Sequence, residues 1–241
     1  MEKIAHLIKN STSTVIFTGA GMSTESGLPD FRSKNRGLWG KFNPDELANV
    51  DALENNQEEF VNFYQFRLNE IQAYHPHDGH YTLAKWEKNG IIDGIITQNV
   101  DGFHHDAGNN NVMELHGTFR KFFCHHCKKE VERERFLEGQ TNCSRCNGPI
   151  RPGIVLFGEM LPEDTFLKAE ELTIHSEVFI VLGSSLTVTP ANMFPILAKE
   201  HGATLIIVNR EETPMDPYAD YIINDQSVKE FLLKLDRYIS A

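Results

Sequence analysis

Long apolar runs are missing from this 241-residue chain. None approaches the roughly 20 residues that a helix needs to cross a bilayer, so no membrane span is expected. Residues 1–14, MEKIAHLIKNSTST, hold no unbroken apolar leader core and read as a short amphipathic helix. Basic charge is also in short supply: 23 Lys and Arg stand against 34 Asp and Glu, a formal net charge of −11. That balance excludes a general binder of phosphate backbones, which needs clustered Lys and Arg. It leaves room for basic partners such as lysine-bearing protein tails. Internal repeats and low-complexity tracts are absent. Cysteine is sparse, at four residues, and its spacing speaks for metal rather than disulfides, which suits a cytoplasmic location.

What is there is an ordinary globular composition, 40% apolar and 24% charged, in a chain long enough for one large domain or one domain with a small satellite. Strands are expected over Thr14–Thr18, Ile91–Thr97, Val178–Gly183, Thr204–Val208 and Tyr221–Ile223. Helices are expected over Ala5–Lys9, Glu58–Ala73, Gly79–Lys88, Pro162–Ile174, Ala191–Lys199 and Ser227–Ile239. Such alternation implies an α/β fold with a parallel sheet covered on both faces. Two stretches interrupt it. Residues 34–78 hold an aromatic-rich helix and no convincing strand, and residues 120–151 are charged and hold all four cysteines. The expected division is a large domain of residues 1–33, 79–119 and 152–241, with 34–78 and 120–151 forming a smaller inserted zinc-binding and helical domain. A ligand cleft would then lie between them, at the carboxyl ends of the strands.

Cys124 and Cys127 form one Cys-x2-Cys knuckle and Cys143 and Cys146 a second, 15 residues further on. Four thiolates complete a closed tetrahedral Zn2+ shell, so the zinc would be structural and would fold a segment with little core of its own. His125 and His126, inside the first knuckle, read as turn residues because the shell is already full.

The apolar run Val15-Ile16-Phe17 breaks into TGAGMSTESGLPDFRS, residues 18–33. Gly19-x-Gly21 looks like the start of a dinucleotide loop, but Thr24 stands where the third glycine of G-x-G-x-x-G belongs. Other strand ends carry small or polar residues that suit a nucleotide: Gln98-Asn99-Val100-Asp101, Gly183-Ser184-Ser185 and Asn209. His116, before Gly117, offers an imidazole, the natural base near neutral pH.

Taken in order, TGAGMSTESGLPDFR, TQNVD, ELHG, the four cysteines, VLFGE, GSSLTV and IVN resemble the sirtuin family over roughly residues 12–238, with the bacterial G-L-P-D-F-R form of the first motif. The resemblance implies a Rossmann-like domain with the smaller domain described above, and an NAD-dependent protein-lysine deacetylase or deacylase. NAD would be a consumed co-substrate, and the products would be free lysine, nicotinamide and O-acyl-ADP-ribose. It implies that Gly19, Ala20, Gly21, Thr24, Phe31 and Arg32 form the cofactor loop, with Phe31 covering the reactive ribose. Gln98 would contact the nicotinamide ribose. Asn99, Val100 and Asp101 would hold the nicotinamide, and His116 would be the catalytic base. Gly183, Ser184, Ser185, Asn209, Arg210 and Ser227 would serve the adenosine half. Val155, Phe157, Gly158 and Glu159 would pair with the backbone of an acyl-lysine peptide as an added strand. The expected partners are acyl-lysine proteins; nucleic acid and membrane are not expected, and the chain would act as a monomer.

Tyr64 and Arg67 share one face of the aromatic-rich helix at i and i+3. Some sirtuins use a similar Tyr-x-x-Arg pair to bind an acidic acyl group such as succinyl, for which a guanidinium is apt. The bland alternative is a packed Tyr64 and a solvated Arg67. Three rival functions share some of these features: a protein ADP-ribosyltransferase, a non-catalytic zinc-ribbon binding module, and a hydride-transferring dehydrogenase. The missing third glycine disfavours the last.

Overall fold

A computed structural model describes residues 1–30 and 43–240. The expected cofactor residues Phe31 and Arg32 lie outside the described residues. The element order begins with α1 (Glu2–Asn10), β1 (Thr14–Thr18), α2 (Pro44–Leu47), α3 (Val50–Asn55), α4 (Gln57–Gln72) and α5 (Asp78–Lys88). It continues through β2 (Gly94–Thr97), α6 (Phe103–Ala107), β3 (Val112–Glu114), β4 (Gly117–Cys124), β5 (Glu130–Val131), α7 (Arg133–Leu137) and β6 (Ile150–Ile154). It closes with α8 (Glu163–Ile174), β7 (Val178–Leu182), α9 (Phe194–Glu200), β8 (Thr204–Val208), β9 (Tyr221–Ile223) and α10 (Val228–Ser240).

Among the described residues the larger sheet has six strands in the order β3-β2-β1-β7-β8-β9. Every neighbouring pair is parallel. A parallel strand buried on both faces needs apolar residues throughout, which is why TVIFT, VFIVL and TLIIV read as continuous apolar runs. Alternate side chains serve opposite layers. Ile16, Ile95, Ile180 and Ile206 face Leu83 and Trp86 of α5 and Phe231, Leu232 and Leu235 of α10. Val15, Phe17, Ile96, Val181 and Ile207 face Ala169 of α8 and Phe194 and Ala198 of α9. The sequence-based strand over 91–97 begins late, at Gly94, because residues 90–93 finish other work. Gly90 adopts φ 68°, Ile91 N–H closes α5 on the Trp86 carbonyl at 2.8 Å, and the Asp93 carboxylate accepts from Thr14 N–H at 2.9 Å.

The second sheet is β5-β4-β6, antiparallel. Its strands escape a simple alternation rule because β4 carries a register shift between Thr118 and Phe122. Phe122, Phe136 and Ile150 of this segment share one apolar cluster with Phe60, Phe63, Tyr64 and Leu68 of α4. The aromatic helix and the cysteine-bearing segment therefore bury each other.

Candidate active site

β1 is flanked by β2 on one side and β7 on the other, and the crossovers run outward in opposite directions, through β2 to β3 and from β7 through β8 to β9. A crevice must open past the carboxyl ends of these strands. A cleft of about 1220 Å³ lies there. Ala20, Gly21, Thr24, Gln98, Asn99, Val100 and His116 border it on one side, and Gly183, Ser184, Ser185, Asn209, Arg210 and Ser227 on another. Val155, Phe157, Gly158 and Glu159 line a third wall, with Tyr64 and Arg67 beside them. Gly19 and Asp101 do not border this cleft; Asp101 borders a second cavity of about 750 Å³.

After β1 the chain makes two 3-10 turns, Ala20–Met22 and Thr24–Ser26, in place of a regular helix. The glycines there are needed by the protein itself. Gly21 N–H donates to the Gly183 carbonyl at 2.8 Å. A Cβ on Gly21 would stand 2.7 Å from Gly183 Cα, and one on Gly183, whose φ is +62°, would stand 2.5 Å from Gly21 C. Two strand-end loops thus meet backbone to backbone. Thr24 turns its hydroxyl to the Gly21 carbonyl at 3.0 Å.

His116 lies between β3 and β4. Its Nδ1 lies 3.1 Å from the Gln98 carbonyl. A carbonyl only accepts, so Nδ1 carries the proton and Nε2 is the basic nitrogen. Gln98 is oriented in turn: its Oε1 accepts from Ser184 Oγ at 2.7 Å.

Ser23, which the sequence reading passed over inside the opening motif, joins the other polar groups. Its hydroxyl donates to Asp101 Oδ2 at 2.7 Å and accepts from Asn99 Nδ2 at 3.3 Å. Asp101 Oδ1 accepts from Phe103 N–H at 2.9 Å. Burial pushes the Asp101 carboxyl above its ordinary range, against the pull of these two donors. Behind them, the Thr18 hydroxyl donates to Thr97 Oγ1 at 2.7 Å and lies 3.0 Å from His104 Nε2. Thr97 Oγ1 accepts from Asn99 N–H at 3.0 Å. Burial lowers His104 to about 3, so it is neutral. His77 bonds the Met22 carbonyl through Nε2 at 2.6 Å and accepts from Gly79 N–H through Nδ1 at 2.9 Å. This pairing requires a neutral ring, and burial holds its pKa down.

On the third wall, Val155 N–H donates to the His116 carbonyl and Phe157 N–H to the Ala48 carbonyl, both at 2.8 Å. Glu159 is committed inside the protein: Arg151, almost wholly buried, meets its two oxygens at 2.6 and 2.8 Å. Tyr64 is buried, and desolvation raises its pKa. Arg67 is buried rather than solvated, and Glu70 pairs with it at 3.0 Å. Burial lowers the Arg67 pKa, with Glu70 opposing.

The four cysteine sulfurs lie within 4.8 Å of one another. Cys124 and Cys146 are 3.5 Å apart, and Cys127 and Cys143 3.7 Å. Four ligands about 2.3 Å from zinc in a tetrahedron would sit about 3.8 Å apart, so the donor set and spacing fit Zn2+. Lys128 and Asn147, one residue past each knuckle, take φ 57° and 58°, which folds the two turns around a common centre. His125 and His126 are not in this cluster.

A doubly covered parallel sheet with a cleft at its switch point, beside a four-cysteine cluster whose spacing suits zinc, defines the class of nucleotide-binding α/β enzymes. The comparisons make this specific: the model of the Sir2 family matches residues 19–190, and the chain belongs to that family. It is 53% identical over 225 residues to an "NAD-dependent protein deacetylase" of Oceanobacillus iheyensis, covering 93% of this chain and 95% of that protein. It is 50% identical over 230 residues to "NAD-dependent protein deacetylase 1" of Geobacillus kaustophilus, covering 95% of each. Among solved structures, a complex titled "Sir2-p53 peptide-NAD+" superposes with TM-score 0.89 at 36% identity, covering 98% of this chain and 97% of that one. A mutant Sir2 with deacetylated p53 peptide and 3'-O-acetyl ADP ribose gives TM-score 0.93 at 37% identity, with the same coverage.

Proposed function

We propose that this protein is an NAD-dependent protein-lysine deacetylase that moves the acyl group from lysine to ADP-ribose. The observation that carries this is the convergence of His116, Gln98, Asn99 and the Gly21–Gly183 loop pair on one cleft, in a chain about half identical to proteins of that name. NAD supplies the ADP-ribosyl acceptor and leaves its nicotinamide behind. The protein's own groups do the rest. The Gly21–Gly183 contact leaves backbone close to the cleft where a pyrophosphate can approach. Asn99 borders the cleft with an amide suited to a carboxamide, and Asp101, just outside the cleft lining, is tied to it through Ser23. His116 Nε2 takes the proton from a ribose hydroxyl, and the wall from Val155 to Glu159 carries the peptide. The four cysteines hold one structural Zn2+ per chain, and the chain works in the cytoplasm. A positioned base contributes about 10²–10⁴-fold. Nicotinamide release with an acetyl-lysine peptide should therefore fall by that factor in His116→Ala while NAD binding by calorimetry stays within about threefold. Unchanged turnover in that variant would remove His116 from the role of base.

Arg67 lines the same cleft as His116, and this supports a second reading, a preference for acyl groups ending in a carboxylate. Glu70 already pairs with Arg67 through one guanidinium nitrogen, which weakens what a second carboxylate would gain there, and acetyl stays the first choice. Under the second reading, Arg67→Met lowers kcat/KM on succinyl-lysine at least tenfold more than on acetyl-lysine; equal losses on both would sink it.

A further inference from the structure

Glu25 lies in the second 3-10 turn of the loop after β1, and its carboxylate reaches a partner about 200 residues away. One oxygen accepts from the Ser227 hydroxyl at 2.8 Å, and the other from Lys229 N–H at 2.9 Å. Ser227 is the residue before α10 and caps it. Ser227 Oγ accepts from Glu230 N–H at 3.2 Å, while the Glu230 side chain accepts from Ser227 N–H at 3.0 Å. The hydroxyl's only proton is therefore spent on Glu25. The amino end of a 13-residue helix favours a carboxylate.

Besides Gly21 on Gly183 and Ser23 on Asp101, further contacts hold the same loop. His77 grips the Met22 carbonyl, and Gly27, at φ +107°, lies so close to Tyr74 that a Cβ would stand 2.4 Å from its ring. Both Tyr74 and His77 lie in the turn between α4 and α5. Met22 packs in the same apolar cluster as Val228 and Phe231 of α10, and Glu25 adds the hydrogen bonds to that helix, on the side of the cleft where Asn209, Arg210, Gln226 and Ser227 gather.

We propose that Glu25 is a positioning residue for NAD, a clasp that fixes the cofactor loop to the start of α10, and that Ser227 acts through Glu25. The proposal rests on the NAD reading above. A clasp at this place affects the nucleotide half of the cleft and leaves the lysine half, the wall from Val155 to Glu159, untouched.

The test is steady-state nicotinamide release together with calorimetric NAD binding, on wild type, Glu25→Ala, Glu25→Gln, Ser227→Ala and the Glu25→Ala/Ser227→Ala pair. Glu25→Ala should raise KM and Kd for NAD about tenfold, equal to about 1.4 kcal/mol, with the peptide KM within twofold of wild type. Glu25→Gln, which keeps an acceptor for Lys229 N–H, should recover part of the loss. The double variant should be no worse for NAD than the poorer single variant, because both remove one interaction. Ser227→Ala also strips the cap from α10, so Glu25→Ala, which leaves the cap in place, decides. An NAD Kd unchanged in Glu25→Ala, an equal rise in peptide KM, or fully additive losses would overturn the clasp. A wild type that binds NAD yet releases no nicotinamide would refute the deacetylase reading instead, and the Kd series would still judge Glu25.

Discussion

Replacing Ser23 by alanine removes one small hydroxyl and disconnects the two side chains it joins. The lost bond to Asp101 is short and charge-assisted, 2.7 Å, a kind that contributes about 1.5–3 kcal/mol. The bond from Asn99, at 3.3 Å, is long and adds about 0.5 kcal/mol at most. A net loss of about 2–3 kcal/mol should lower kcat/KM for NAD by about 30- to 150-fold. The pH dependence has a definite sign. Burial already raises the Asp101 carboxyl, and the Ser23 hydroxyl opposes that rise. Without it the carboxyl moves further up, so the acid limb of the kcat/KM profile shifts to higher pH. Stability follows the same linkage. A carboxyl raised in the folded state binds extra protons there, so stability falls as pH climbs from the unfolded value near 4 through the folded one, and Ser23→Ala widens that window. The assay is initial-rate nicotinamide release at varied NAD and pH, with melting followed by circular dichroism. A kcat/KM within threefold of wild type and an unmoved acid limb would show that Ser23 does not hold this pair.

Two further outcomes follow from the same geometry. Stripping the metal with a chelator should release about one zinc per chain and unfold the cysteine-bearing segment, since a four-thiolate site contributes about 10 kcal/mol or more of folding free energy. Because Phe122, Phe136 and Ile150 pack on α4, near-UV dichroism and activity should fall together and return with Zn2+; full activity in metal-free protein would contradict this. Separately, His77, His80 and His104 are held below the ordinary imidazole range, each first by burial. They stay neutral in the fold while their unfolded counterparts take up protons near pH 6.5, so the melting temperature should drop as pH falls from 7 to 5. His104→Asn should flatten that slope, and an identical slope would count against the assignment.

The parallel sheet was legible because TVIFT, VFIVL and TLIIV are each buried on both faces and so carry an unbroken apolar signal. The four cysteines were legible because metal geometry dictates local spacing. β3 and β5 are three and two residues long, and β4 slips register midway, so no period could accumulate. Arg67, at i+3 from Tyr64, reads from sequence either as a ligand for an acidic acyl group or as a solvated residue; tertiary packing rules out the second by burying it, with Glu70 beside it. Ser23 and Glu25 were hidden for another reason. Their partners, Asp101, Ser227 and Lys229, lie 78, 202 and 204 positions away, and only the fold brings them together. The glycines of the opening motif were noticed, but their reason changed. Gly21 is small because Gly183 lies against it, before any nucleotide is considered.

The most direct test of the central claim is mass spectrometry of the products formed from NAD, labelled in its ADP-ribose, and an acetyl-lysine peptide. The account predicts one nicotinamide and one labelled O-acetyl-ADP-ribose for each free lysine, with all of these lost in His116→Ala. Label attached to protein or peptide, or free acetate formed without any labelled acetyl ester, would contradict it.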